Sequence, residues 1–261
     1  MKDFRYEQFP KTRIFTNDVC AVGLLKHHIP ALIEVDVSES RRKVRQHKRG
    51  GKRISFTAWL IKVISVTVKE HEQAAAYVKG KRGLVIFNHV HVSMAVEKVV
   101  HGARVPIPLV IEKADDRSIE SITQQIEAAQ GQVITEKDIV LQSRANPLER
   151  VYYVLPGFLR RLFWKYLISS PHSAFSKMGN VSFTSVGMMG RATGWFIPIS
   201  VHPVCFGIGR IAKKPAVVGN SIEIREMLYL TILMDHDVID GALMARFTSA
   251  LSENIEKGRE L

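Results

Sequence analysis

The residues best suited to chemistry lie in the segment DHDVIDG, from Asp235 to Gly241. A β-prone run, LYLTILM, leads directly into this segment, and its Asp-Gly pair is typical of a tight turn. His236 at such a strand end could act as an exposed general base, because imidazole titrates near neutral pH. Asp240 lies four residues later and could hold the turn in place. The pattern fits equally well a histidine that is merely hydrogen-bonded within a loop.

A second candidate segment is SFTSVGMMG, from Ser182 to Gly190. Its hydroxyl side chains include Thr184 and Ser185, which could donate hydrogen bonds to a developing oxyanion. Gly187 opens a Gly-x-x-Gly loop whose backbone could approach a ligand closely. Taken alone, this segment is more simply an ordinary strand and turn. Together, the two segments predict a general base and an oxyanion donor on neighbouring strands.

Other kinds of site are not indicated by the sequence. No serine or cysteine lies in a nucleophile elbow, so we do not expect a covalent acyl-enzyme. The pairs His27-His28 and His89-x-His91 do not reach a convincing metal-ligand spacing, and no metal is predicted. Walker and Rossmann glycine motifs are missing from the sequence. Two cysteines are too few for a disulfide framework, so we expect a reduced, cytoplasmic protein.

The composition is that of a folded protein with an excess of positive charge. The chain has 261 residues, of which 46% are hydrophobic and 24% charged. It contains neither an apolar run of membrane-spanning length nor an apolar signal-peptide stretch. The formal net charge of +12 suggests an anionic partner. It does not choose among nucleic acid, a membrane surface, a phosphorylated cofactor and an acidic protein.

The hydrophobic pattern predicts one α/β domain over residues 1–261, with strands and helices intermixed around a mixed sheet. We predict helices over 38–46 (with Ser38 as a possible N-cap), 55–70, 118–129 and 242–257. We predict strands over 28–37, 84–87, 91–97, 105–111, 180–186, 204–211 and 228–234. The prolines within 105–111 indicate a strand at an edge or an end. Residues 1–19 are mixed and polar and predict a docking arm.

Two segments carry unusual composition. Residues 131–177 contain the aromatic and basic stretch 147–167, which could cover a pocket, dock on a membrane surface or pack as an extra core helix. We favour packing or pocket cover. Residues 41–53 contain eight lysines and arginines. We interpret them as a solvated helix end and loop rather than a nucleic-acid site, because no recognised nucleic-acid motif accompanies them.

The segment LYLTILMDHDVIDGALMARF resembles the closing motif of the acyltransferase component of 2-oxo acid dehydrogenase complexes. Earlier segments resemble the same family in the same order: HIPALIEVDVSE, ISFTAWLIKVISVTVKEH, HVSMAVE, VPIPLVI, FTSVGMMG and HPVCFGIGRIAKKPAVV. The resemblance covers about 28–130 and 178–258. It implies an α/β two-layer sandwich with a mixed sheet, the fold that chloramphenicol acetyltransferase shares with this family.

The resemblance also implies a mechanism. His236 would remove the proton from a thiol of CoA or dihydrolipoamide, and the thiol would attack a thioester carbonyl without an acyl-enzyme. The hydroxyl of Thr184 would stabilise the tetrahedral intermediate. Asp240 would form a structural ion pair, for which we expect Arg13 as the partner. Three further residues are expected to contact substrate: Ser185, Gly187 and Gly241.

The partners follow from the same resemblance. It implies a homotrimer with active sites between subunits, and CoA or acyl-CoA as a substrate rather than a bound cofactor. An acidic lipoyl domain on another chain is a further candidate partner. We expect no lipoyl or subunit-binding domain in this chain, and we interpret 131–177 as an insertion atypical of the family. Asp237 replaces an arginine that is usual after the histidine. A catalytically silent scaffold and an acyltransferase for a non-lipoyl small molecule remain alternatives.

Overall fold

The computed structural model describes residues 3–7, 12–100, 103–131, 147–187 and 190–261. The helices among them are α1 (Thr12–Gly23), α2 (Ser38–Arg49), α3 (Phe56–Glu70), α4 (Ile119–Gly131), α5 (Pro147–Val154), α6 (Gly157–Ser169), α7 (Pro171–Met178) and α8 (Gly241–Glu256). The strands are β1 (His28–Asp36), β2 (Tyr77–Lys79), β3 (Gly83–Val85), β4 (Val92–Val100), β5 (Ala103–Ile111), β6 (Val181–Ser185), β7 (Val204–Val218) and β8 (Ser221–Asp235).

Six of these strands form one mixed sheet in the order β1-β8-β7-β6-β4-β5. The β4–β6 and β6–β7 pairs are parallel, and the other pairs are antiparallel. β5 lies at an edge, as its prolines predict, because proline has no N–H to give to a second neighbour. β2 and β3 pair in a separate small hairpin. The mixed α/β architecture predicted from the sequence is confirmed.

The core lies between the sheet and the helices α3, α4 and α8. Alternation along β8 turns Leu228, Leu230, Ile232 and Met234 towards this core, where each is fully buried. Trp59 of α3 is also fully buried. Ser55 begins that helix as its N-cap, since its hydroxyl accepts a hydrogen bond from the N–H of Ala58. The hydrophobic pattern and the cap together fix the position of α3 against the sheet.

The opposite face of the sheet is covered by the segment that connects β6 to β7. The indole of Trp195 donates a 2.7 Å hydrogen bond to the carbonyl of Ile33 and packs edge-on against Tyr229, with ring centroids 4.9 Å apart. Gly207 lies under the same segment, where a Cβ would be 3.2 Å from the carbonyl oxygen of Phe196. The connection therefore lies close against the strands.

The elements depart from the sequence predictions in several places. Residues 12–23 form helix α1 instead of an irregular arm, and α7 was not predicted. Ser38 does not cap α2, because its hydroxyl accepts from the N–H of Glu226 at 2.7 Å and Val37 occupies the N-cap position. β7 and β8 extend well beyond the predicted strands to a turn at Gly219, and their outer halves are largely exposed. No described helix is long and apolar enough to cross a bilayer.

Candidate active site

His236 lies at the end of the central sheet, in the turn between β8 and α8. Its N–H donates a 3.0 Å hydrogen bond to the carbonyl of His27, the residue before β1, and its side chain is exposed. Asp240 ends the turn as the N-cap of α8, where its carboxylate accepts from the N–H of Leu243 at 2.8 Å. The Asp-Gly pair therefore starts a helix, and this restricts the backbone that carries the imidazole.

A buried ion pair lies beneath this turn. The Nζ atom of Lys26 lies 2.6 Å from Oδ2 of Asp235, whose side chain is 1% exposed. The other carboxylate oxygen accepts a 3.3 Å hydrogen bond from the N–H of Asp237. Because a buried charge is strongly destabilising without its partner, this pair holds β1 and the His236 turn together. Sequence reasoning missed Lys26, since it lies 209 positions from Asp235.

A second pair flanks the imidazole at the surface. Nδ1 of His27 lies 2.9 and 3.1 Å from the two carboxylate oxygens of Asp237, and both side chains are exposed. The hydrogen bond and the negative charge of Asp237 raise the pKa of His27. Asp237 is the residue that replaces the usual arginine of the motif. Here it contacts the neighbouring His27, and no described interaction joins it to His236.

Two further histidines support the turn from inside the protein. Nε2 of His202 lies 3.1 Å from the carbonyl oxygen of Met178, and Nδ1 lies 3.2 Å from the hydroxyl of Ser200. Nε2 of His28 lies 2.9 Å from the carbonyl oxygen of His202. These contacts satisfy the neutral form of each ring, with Nε2–H as the donor. Burial lowers the pKa of His202 to about 4, and burial also lowers that of His28.

This burial predicts acid sensitivity. Below about pH 6.5 the unfolded chain takes up a proton at position 202, whereas the folded chain does so only near pH 4. The contribution of the buried, neutral His202 to the free energy of unfolding is therefore present above pH 6.5 and is lost as the pH falls towards 4. Between pH 7 and 4.5 we expect wild type to lose about 2 kcal/mol more unfolding free energy than His202→Gln. Urea denaturation at both pH values measures this, and equal losses would contradict it.

Thr184 lies well away from His236 within one chain. It is half-buried on β6, in register with Gly207 of β7, which pairs in turn with Thr231 of β8. Asp235 lies four residues beyond Thr231, about 13 Å along the strand, and β6 is two strands from β8, about 10 Å across the sheet. The prediction of neighbouring strands is wrong, because β7 pairs with both and separates them. One chain does not bring the two side chains to one reacting atom.

Of the other predicted substrate contacts, Ser185 and Gly187 lie near Thr184, and Gly241 lies near His236. Ser185 is exposed at the end of β6, and a Cβ on Gly187 would collide with the carbonyl oxygen of Gly209. Glycine is therefore needed at 187 for close packing of two backbones. A Cβ on Gly241 would meet nothing within 4 Å, so packing does not require glycine there. The two methionines at 188 and 189 lie outside the described residues.

Arg13 is exposed on α1. In the described part of a single chain it forms no ion pair with Asp240, whose carboxylate is engaged with the first turn of α8. An ion pair between Arg13 of one chain and Asp240 of another therefore stays a prediction. The catalytic roles of His236, Thr184 and Asp240 likewise stay predictions.

One group of potential metal ligands occurs among the described residues, and the sequence did not predict it. Side-chain atoms of His89, Asp115 and Asp116 lie within 4.8 Å of one another. Nδ1 of His89 lies 3.1 Å from a carboxylate oxygen of Asp116, and the buried Asp115 accepts from the N–H of Val90 at 2.8 Å. Hydrogen bonds and ion pairing account for these contacts, and we assign no metal.

The fold defines the class of the protein. It matches the crystal structure of a probable dihydrolipoamide acetyltransferase from Listeria monocytogenes 4b F2365 with a TM-score of 0.70 and 19% identity, over 99% of this chain and 97% of that one. It matches a chloramphenicol acetyltransferase with a TM-score of 0.50 and 9% identity, over 98% and 97% of the two chains. The predicted chloramphenicol acetyltransferase-like sandwich is confirmed.

The family follows from the sequence comparison. The model of the 2-oxoacid dehydrogenases acyltransferase (catalytic domain) matches residues 27–138 and 173–261, and the chain belongs to this family. A dihydrolipoyllysine-residue acetyltransferase component of the pyruvate dehydrogenase complex from Corynebacterium glutamicum is 25% identical over 235 residues, 86% of this chain and 29% of that protein. The chain spans less than half the length of such relatives. Residues 139–172, within the predicted insertion 131–177, lie outside the family match.

Proposed function

We propose that this chain transfers an acyl group between CoA and a thiol acceptor, with His236 as the general base. The observation that carries the proposal is the placement of this imidazole. Its side chain is exposed at the surface, while its backbone is held by the Lys26–Asp235 ion pair and by the cap at Asp240. A base on a rigid support keeps its orientation when a substrate binds, which general-base catalysis requires.

The reaction proceeds by direct transfer between two sulfur atoms. The imidazole of His236 takes the proton of the attacking thiol, whose ordinary pKa of about 8.5 is close enough for efficient transfer. The sulfur bonds to the thioester carbonyl carbon, and the carbonyl oxygen becomes an oxyanion that accepts a hydrogen bond from the Thr184 hydroxyl. The intermediate then expels the second thiolate, which takes the proton back from the imidazolium. No bond to the protein forms at any step.

The distance between His236 and Thr184 supports a site formed by two chains. About 13 Å along the strands and about 10 Å across them separate the two positions in one chain. A homotrimer that brings β6 of one subunit to the β8–α8 turn of the next would place both groups on one thioester. The exposed Arg13 and the exposed Asp240 could then pair across the same interface.

The substrates fit the charge of the molecule. CoA carries three phosphate groups, and the net charge of +12 favours binding of such an anion. Dihydrolipoamide on an acidic lipoyl domain of another chain is the acceptor that we favour. In this scheme CoA is a substrate, and no covalently bound cofactor takes part.

Acyl transfer to dihydrolipoamide tests the proposal. The protein is incubated with acetyl-CoA or longer acyl-CoAs, with and without dihydrolipoamide, and acyl-dihydrolipoamide is detected by mass spectrometry because the acceptor's own thiols interfere with thiol reagents. We expect acceptor-dependent product. If a folded, CoA-binding protein acylates neither dihydrolipoamide nor any other small thiol, the silent-scaffold alternative replaces this proposal.

A further inference from the structure

An exposed apolar surface runs along helix α6. Phe158, Leu162 and Tyr166 recur at four-residue spacing, so they lie in one row along the helix. Their exposed fractions are 63%, 60% and 72%, and Phe163 beside them is 52% exposed. Val154, at the end of α5 and four positions before Phe158, is 84% exposed. Contiguous large apolar side chains in water indicate an interaction site.

The opposite face of α6 is firmly attached to α1. Trp164 is buried, its indole donates to the hydroxyl of Tyr152 at 2.9 Å, and its ring packs edge-on against Phe15 at 5.1 Å. Nε of Arg160 lies 2.6 Å from a carboxylate oxygen of Asp18, and both side chains are largely buried. α6 is thus held in a fixed orientation. One face of α6 therefore packs on α1, where Trp164 is its buried side chain, and the other face is exposed.

The charged side chains of α6 itself are all positive. Arg161 and Lys165 are exposed, lie four residues apart on α6 and flank the row on one side. No aspartate or glutamate occurs anywhere between residues 151 and 222. The same face of a second copy would bring these cations against their own equivalents, which disfavours a symmetric contact. An anionic surface is the complementary partner.

We propose that the α6 surface, formed by Val154, Phe158, Leu162, Phe163 and Tyr166 and flanked by Arg161 and Lys165, docks on an anionic lipid bilayer. The helix would lie in the plane of the interface, with its aromatic and aliphatic side chains at the boundary of the acyl chains. Arg161 and Lys165 would contact headgroup phosphates. This surface lies outside the matched family segments and is independent of the proposed acyl transfer.

Vesicle sedimentation with the full chain tests this inference. Vesicles of phosphatidylcholine alone are compared with vesicles that also contain phosphatidylglycerol, at low and high salt. We expect binding only to the anionic vesicles, weakened by salt. The variant Phe158→Ser/Leu162→Ser and the variant Arg161→Glu/Lys165→Glu should each bind about tenfold more weakly or worse. Both should unfold at the wild-type temperature, because the altered side chains are exposed.

Two matched control variants distinguish docking through α6 from non-specific apolar adsorption and from non-specific electrostatic attraction to the vesicles. Ile222→Ser/Ile224→Ser changes two aliphatic side chains that are 77% and 78% exposed on β8. Lys48→Glu/Arg49→Glu reverses two exposed cations on α2. Both controls should retain wild-type vesicle binding. No binding to anionic vesicles, or equal losses in the control and α6 variants, would overturn the inference, and a protein partner for α6 would then be sought.

Discussion

The variant His236→Ala should lose about 10³-fold in kcat for acyl transfer, with little change in KM. The imidazole accepts the thiol proton as the carbon–sulfur bond forms, so its removal raises the barrier without removing the groups that hold CoA. Because the side chain is exposed, the free energy of unfolding should change by less than about 0.5 kcal/mol. Steady-state production of acyl-dihydrolipoamide, followed by mass spectrometry, measures the loss.

His27→Ala is the matched control for this variant. His27 is also an exposed imidazole, and its backbone carbonyl accepts the hydrogen bond from the N–H of His236. Its side chain contacts Asp237 rather than the expected substrate position. We expect this control to keep kcat within about threefold of wild type. If His236→Ala kept more than about a tenth of wild-type kcat, the general base would have to be another group.

The variant Thr184→Val should lose about 10²-fold in kcat, because valine keeps the shape of threonine but has no hydroxyl to stabilise the oxyanion. Thr184→Ser retains the donor and should recover most of the activity. A merely structural role would give the opposite order, since valine suits a β-strand at least as well as serine. kcat and the thermal unfolding midpoint, measured for both variants, separate these explanations.

Ser182→Ala provides the control for Thr184→Val. Ser182 is a half-buried hydroxyl residue on the same strand, two positions earlier and therefore on the same face of the sheet. We expect its kcat to stay near that of wild type. A loss as large as that of Thr184→Val would point to damage of β6 in general and against a specific oxyanion donor.

Much of the fold could be predicted because it depends on local signals. Buried strands such as β8 carry continuous apolar runs, and helices such as α3 begin at recognisable caps. The turn at His236 was also visible, since Asp-Gly ahead of an amphipathic segment is typical of a helix start. The outer halves of β7 and β8 were not predicted as strands, because their apolar residues, such as Ile222 and Ile224, are exposed and form no continuous buried run.

The arrangement of the site depends on strand order, which one sequence does not encode locally. Thr184 lies on β6 and His236 follows β8, and β7 lies between these two strands in the sheet. Lys26 is unremarkable in sequence and becomes significant only through the pairing of β1 with β8. Its partner Asp235 was seen as part of a turn, and the burial that makes the pair matter follows from the tertiary structure.

The most direct test of an active site shared between two subunits combines the His236→Ala and Thr184→Val variants in one assembly. His236→Ala and Thr184→Val chains with different tags are co-expressed, purified over both tags and confirmed as trimers by light scattering. If each site takes His236 from one subunit and Thr184 from the next, every mixed trimer contains one intact site, and activity should recover to about a third of wild type. Activity no higher than that of the separate variants would contradict a site shared between subunits.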